Sequence, residues 1–304
     1  MAEDRIFVSS RLRLMRNYGD IPFSPNLTED WAGETVRRAE EALGVSPVCL
    51  QNLSERDRLY LMEQGKISPE CVKGSYSALF YAEGCSVMAN AEDHITIMAR
   101  QNGLTLGTLM AAAKRADDRL AQHGAFAYDR EFGYLTVRPE RAGTGLLAEA
   151  ILHLFISGMP KKHYEGIDIR PWGDGKAGFF IISNHDSIGM TEEEIVLLVE
   201  ETARQAAMVE REAEETADKL LLEDRVMRAV GIMREARLLR MADFTNYMSA
   251  LRMAGVMGLV DILPEEADRL WREMQPSSIR ADSIKEADML RAERMRRVIR
   301  DIYE

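Results

Sequence analysis

The sequence is poor in the residues that staple a fold or hold a metal. It has three cysteines in 304 residues, Cys49, Cys71 and Cys85, an odd number with no CxxC or Cys/His spacing. That pattern excludes a disulfide scaffold and fits reduced thiols in a cytoplasmic chain. The five histidines show neither HExxH nor HxH, so no metal cluster is expected. Long hydrophobic runs are absent too. Apolar stretches such as Ala254–Val260 fall far short of the ~20 residues of a membrane span, and MAEDRIFVSS at the start has no apolar leader. A cationic excess is also lacking. Lys and Arg number 39 against 50 Asp and Glu, a net charge of −11, which argues against a general nucleic-acid binder. The first 210 residues carry 22 basic against 31 acidic side chains, so any polyanion site there must be a local cluster.

What is present is an ordinary globular balance, 46% hydrophobic and 29% charged, with a length suited to about two domains. TEDWAGETVRRAEEAL and LSERDRLYLMEQG read as helices, the second opened by Ser54 and closed by Gly65. SALFYA and CSVMAN, joined at Glu83-Gly84, read as a hairpin, and GIDIRPW and GFFIISN as a second one. GYLTVR reads as a further strand, and Leu104–His123 and Leu146–Ser157 as helices. From Thr191, which opens a capping box with Glu194, the chain becomes nearly all helical, and Pro264 starts another helix. The expected architecture is α+β: an antiparallel sheet flanked by helices over residues 1–210, then an α-helical C-terminal domain over 211–304.

Several clusters bear on chemistry. In VSSRLRLMRN, Arg11 and Arg13 share one face of a strand, where two guanidiniums repel unless they share an anion such as phosphate. NAEDH (90–94) puts Glu92 and Asp93 at a strand end, a place for a general base. RAGTGLLAEA places two glycines and a threonine before an apolar segment, which as a helix N-terminus suits an anion and otherwise is a tight turn. IRPWGDGKAG joins Arg170 and Asp174 to a glycine-rich tip that either closes over a ligand or merely connects two strands.

The order of these segments is more specific than any one of them. SSRLRLMRN, ISPE, CSVMANAEDH, GYLTVRPERAGTGLLAEAILHL and ISNHDSIGMTEEEIV together resemble the ATP:guanidino phosphotransferase (phosphagen kinase) family. LEDRVMRAVGIMREARLL and EADMLRAERMRRVI resemble the helical domain of its bacterial protein-arginine kinase (McsB) branch. The resemblance implies ATP with Mg2+, Arg11, Arg13 and Arg170 on the nucleotide phosphates, and Glu92 as the catalytic carboxylate with Asp174 as its auxiliary. Departures accompany it. Ala91 and Thr96 replace an acid and an arginine, Arg138 a cysteine, Leu147 a second arginine, Asp174 a glutamate and Gly65 a histidine. Arg138 and Arg141 are the candidates to make up the lost positive charge. Near the C-terminus the family's RDxxRA motif lacks its first arginine at Ala287, leaving Asp288 and Arg291 to recognise phosphoarginine on a cationic face that also carries Arg294 and Arg297.

Two functions follow as expectations. One is ATP-dependent phosphorylation of protein arginines. The other is a pseudokinase that binds phosphoarginine proteins as an adaptor. For partners the resemblance implies protein substrates, an activator and Clp-type stress-response machinery, with a homo-oligomer possible and neither nucleic acid nor membrane.

Overall fold

The sheet is built around β1 (Phe7–Arg16), which pairs antiparallel with a strand on each side. The computed structural model describes residues 5–24, 26–69, 71 and 76–303. Its main sheet has eight strands, ordered β2-β3-β4-β5-β1-β8-β10-β9, and every pairing is antiparallel. These are β2 (Val48–Cys49), β3 (Ala78–Ala82), β4 (Cys85–Ala89), β5 (Ile95–Asn102), β8 (Leu146–His153), β9 (Ile167–Pro171) and β10 (Phe179–Asn184). The β3–β4 turn sits at Glu83 and Gly84, both at positive φ, as two-residue hairpin turns favour. A separate two-stranded piece pairs β6 (Tyr128–Asp129) with β7 (Gly133–Tyr134).

Alternation along the strands sends one set of side chains to a helical layer. Leu12, Leu14, Ile97, Ala148, Leu152 and Ile182 pack there against α1 (Glu29–Leu43), α3 (Leu106–Ala121) and α4 (Glu192–Thr216). The short α2 (Glu55–Glu63) lies beyond, with Ser54 Oγ accepting from Asp57 N–H at 3.1 Å. At the start of α4, Thr191 and Glu194 form the expected capping box. The third arginine of the first strand, Arg16, faces the helical layer rather than the surface. It is 1% exposed, donates to Asp117 at 2.9 Å and to the Thr144 carbonyl at 2.7 Å, and stacks 3.8 Å from the Tyr134 ring.

Two expectations are corrected. The segment 146–157 is not a helix: LLAEAILH forms β8, between β1 and β10. Leu, Ala and Glu favour helix, but the slot between two strands supplies hydrogen bonds on both edges and buries both faces, and this context overrides propensity. There is accordingly no helix N-terminus after RAGTG. Gly143 and Gly145 sit at φ 103° and 67°, and a Cβ on Gly145 would meet the Met15 carbonyl at 2.5 Å, so this glycine serves close backbone approach. The strand expected over GYLTVR shrinks to Gly133–Tyr134, because Val137 N–H is taken by the Asp93 carboxylate at 2.8 Å.

The helix α4 runs uninterrupted through 210/211, where the domain boundary was expected. Buried Glu210 accepts from the Ile156 and Ser157 N–H groups, tying this helix to the chain leaving β8. The helix ends at Thr216, and Asp218 then caps α5 (Lys219–Glu235). A second core forms among α5, α6 (Met241–Val256), α7 (Pro264–Glu273) and α8 (Ile284–Tyr303), with Phe155 inserted from the first unit. Among the described residues, no helix is long and apolar enough to cross a membrane.

A buried polar chain joins the two units. Arg252 Nη1 on α6 donates to His153 Nδ1 at 3.1 Å, so Nε2 carries the ring proton and donates to Ser249 Oγ at 2.8 Å. Ser249 in turn donates to the Ala177 carbonyl at 2.5 Å. Burial, with Arg252 and Arg225 adding to it, holds His153 well below its ordinary value of 6.5. The folded chain therefore binds fewer protons here than the unfolded one, so this stabilisation is present above pH 6.5 and lost as pH falls below it. In urea unfolding measured from pH 7 to 5, His153→Gln is expected to flatten the loss of stability by up to about 1.4 kcal/mol per pH unit. An unchanged slope would mean that His153 takes up its proton without disturbing the fold.

Candidate active site

The face of the sheet away from the helical layer is where the positive charge collects. Arg11 and Arg13 project there because Leu12 and Leu14 are fixed in the core. The register sets Arg11 opposite Arg100 of β5 on one side and opposite Glu149 of β8 on the other. Arg13 lies between Met98 and Leu147 in the same rows. From β9, Arg170 donates to Glu149 Oε1 at 2.6 Å. The next aromatic, Trp172, lies under Arg11, 4.8 Å from guanidinium carbon to ring centroid. Arg11, Arg13, Arg100, Gly65, Trp172 and Trp271 border one cavity of about 250 Å³. Trp271 comes from α7 and meets Trp172 edge-on at 5.3 Å, so the helical unit covers part of this face.

Electrostatics mark the crowding. Burial lowers the Arg11 guanidinium; Glu149 opposes that effect, and Arg13 and Arg170 add to it. Arg100 is pushed down to about 9, first by burial and then by Arg11 and Arg272, and remains cationic at neutral pH. Arg141 donates to the Asn184 carbonyl at 3.3 Å and is lowered by burial, with Asp168 and Glu149 among its counter-charges.

The NAEDH loop separates a structural pair from an outward carboxylate. Asn90 sits at φ 56° and donates to the Ala32 and Tyr76 carbonyls, fixing the turn. Asp93 is buried, accepts from Asn17 Nδ2 at 2.7 Å and from Val137 N–H, and is raised by burial. His94 Nδ1 accepts from Tyr18 N–H at 3.1 Å, leaving Nε2–H to donate to the Pro22 carbonyl at 3.0 Å; burial keeps the ring neutral. Glu92 points outward and pairs with Arg138 Nε at 2.6 Å. A carboxylate that already holds a guanidinium can hold another in its place.

The other expected residues lie apart. Asp174 is exposed on the β9–β10 loop, held low by the Lys176 backbone N–H at 3.0 Å, and no described contact joins it to Glu92 or the arginine row. Arg291 is 1% exposed, not a surface cation. It donates to the Met274 and Leu239 carbonyls and to Asp288 at 2.7 Å, so the expected phosphoarginine pair is an internal brace of the helical unit. Sequence reasoning missed Arg100 and Glu149. The alternation Thr96, Met98, Arg100 in ITIMARQN held the signal for the first, whereas reading β8 as a helix hid the second.

With this geometry in hand, comparisons with known proteins define the class. Residues 29–163 match the family model described as ATP:guanido phosphotransferase, C-terminal catalytic domain, and residues 219–304 that of the protein-arginine kinase McsB C-terminal domain. The fold agrees. The duplicated taurocyamine kinase from Schistosoma mansoni with bound transition state analog components has a TM-score of 0.60 at 22% identity, over 79% of this chain and 43% of that one. Lombricine kinase has a TM-score of 0.59 at 19% identity, over 71% of this chain and 69% of that one. A protein-arginine kinase of Caldanaerobacter subterraneus subsp. tengcongensis is 31% identical over 301 residues, 90% of this chain and 89% of its own. One from Symbiobacterium thermophilum is 32% identical over 94% of this chain and 89% of its own. The chain belongs to the protein-arginine kinase family.

Glu149 is the internal counter-ion of this face, so its removal has two opposed effects. In Glu149→Gln, calorimetry is expected to show a lower melting temperature without ligand and several-fold tighter binding of inorganic tripolyphosphate. Binding no tighter than in the parent chain would place the anion away from Arg170 and Arg11.

Proposed function

We propose that this chain transfers the γ-phosphoryl group of ATP to arginine side chains of proteins. The observation that carries this reading is the Arg11–Arg13 face. Arg11 Nε is buried with no hydrogen-bond acceptor, so a donor is held ready for an oxygen that the protein itself does not supply. Phosphate oxygens fit that vacant donor and the fork geometry of several guanidiniums at once. Among the described residues, no group of three His, Cys, Asp or Glu is placed to hold a metal. Mg2+, bound with the nucleotide, would offset the charge of its phosphates.

In this reading Arg11, Arg13 and Arg170 orient the triphosphate, with Arg138, which pairs with Glu92, as a further phosphate-binding candidate. A substrate arginine is protonated in water, so one of its nitrogens has to lose a proton to become a nucleophile. Glu92 aligns that guanidinium and accepts the proton, with Asp174 as an auxiliary carboxylate on the loop. The nitrogen forms the new N–P bond as the bond from phosphorus to the β-phosphate oxygen breaks, and ADP leaves. The attack needs positioning more than covalent chemistry, which is what a sheet face provides.

The test is mass spectrometry for phosphoarginine, with non-acidic handling, after incubation with Mg·ATP and an arginine-rich protein. The parent chain is expected to give phosphoarginine, and Glu92→Gln to lower its rate of formation by about 100-fold or more while leaving nucleotide binding in place. Well-folded parent protein that binds nucleotide and yields no phosphoarginine would overturn the kinase reading in favour of an adaptor that binds phosphoarginine proteins.

A further inference from the structure

We propose that Arg100 is a phosphate-binding residue of this chain, and that with it the anion clamp is re-centred on Arg11. This inference rests on the nucleotide-binding reading above and assigns a residue that the family resemblance leaves unassigned. The positions where that resemblance expects arginines are Thr96 and Leu147, and the strand register puts them beside Met15 and Arg13. Arg100 lies farther along β5 on the same face, directly across from Arg11. Positive charge is thus absent beside Arg13 and Met15 and present beside Arg11.

The contrast with the chain's structural arginines is the main argument. Arg16 has Asp117, Arg38 has Asp20, Arg119 has Glu83, Arg252 has Asp268 and Arg291 has Asp288. Arg100 is partly buried like several of these, yet among the described residues its side chain has neither an ion pair nor a hydrogen bond. Its nearest charges have its own sign, Arg11 across the ladder and Arg272 from α7, with Asp268 a weaker opposing influence. An arginine placed for stability alone is paired when it leaves water, because burying an unpaired charge is costly. A row of guanidiniums that outnumbers its one carboxylate, Glu149, is instead the arrangement that a polyanion completes.

The Arg100 head group lies beside Gly65, just past the end of α2 at φ 67°, a conformation that favours glycine. The same guanidinium borders the cavity it shares with Arg11 and Arg13 and a second one, of about 200 Å³, that it shares with Arg272. Arg11 and Arg13 are about 7 Å apart along the strand, and Arg11 and Arg100 about 5 Å apart across the ladder at their Cα atoms. That spread suits a chain of linked phosphates better than a single carboxylate.

The experiment uses the full chain, with Mg·ATP and inorganic tripolyphosphate as separate probes in titration calorimetry, and thermal unfolding without ligand. In Arg100→Met, affinity for both probes is expected to fall at least tenfold. The melting temperature without ligand should rise, since one of three crowded like charges is gone. Arg228→Met, at an exposed pair on α5, is the control and should change neither. Arg100→Gln, which keeps a polar side chain, reads the same loss of affinity if the Met variant fails to fold. Parent-like affinity in a folded Arg100 variant overturns the inference and leaves the kinase reading intact. A parent chain that binds neither probe brings down both.

Discussion

The structure depends on one electrostatic constraint: several guanidiniums must stand side by side, largely out of water, without carboxylates to neutralise them all. β1 meets that constraint through its alternate residues. Leu12 and Leu14 are fully buried against the helical layer, and hydrogen-bonded ladders fix the strand on both edges. A slip of one residue would drive Arg11 and Arg13 into an apolar core and expose two leucines, a change far too costly to populate. The hydrophobic alternation therefore positions the cations. Arg16 shows the other solution within the same strand: placed toward the core, it receives Asp117 and Glu192 as partners. Parity along one strand separates the arginine that holds the fold from those left for a ligand.

The helical unit takes part in this arrangement. Trp271 and Arg272 of α7 reach the edge of the arginine face, and Trp271 packs on the Trp172 ring that lies under Arg11. What sets their position is the buried chain from Arg252 through His153 and Ser249 to the Ala177 carbonyl. Each donor in that chain has an acceptor, and such satisfied networks fix orientation more strictly than apolar packing does. His153 and Glu149 belong to the same strand, so the joint between the units and the counter-ion of the site share one backbone. A shift of either unit is transmitted to the other over a few residues.

Much of this was legible in the sequence, for identifiable reasons. Capping at Ser54 and Thr191 and the hairpin at Glu83-Gly84 depend on contacts within a few residues, which local reading captures. The common face of Arg11 and Arg13 follows from a period of two. β8 was not legible, because LLAEAILH has the composition of a helix and becomes a strand only when two neighbours offer their edges. That one misreading also concealed Glu149. The burial of Arg291 was hidden for a related reason: helical spacing gives the side of a helix but not what covers it, and here the Met274 and Leu239 carbonyls do. Nothing local distinguishes Arg100 from a solvated strand residue until β1 is laid beside β5.

Glu149 has to be reconciled with an anion site, and magnitudes show how. Its carboxylate is 2.6 Å from Arg170, but the Arg170 side chain is 55% exposed, so water screens the pair. Such half-exposed pairs contribute about 1 kcal/mol or less. A phosphate that meets several guanidiniums gains about 1.5–3 kcal/mol from each charge-assisted contact. The phosphate wins that competition. Glu149 then acts as a place-holder that keeps Arg170 ordered and eases the repulsion on Arg11 while the site awaits its ligand. When a phosphate takes over Arg170, the carboxylate is not stranded, because Arg11 and Arg141 stay within its electrostatic reach. The acid in the clamp thus tempers the resting charge of the face and holds one donor, on Arg170, that it yields to the phosphate.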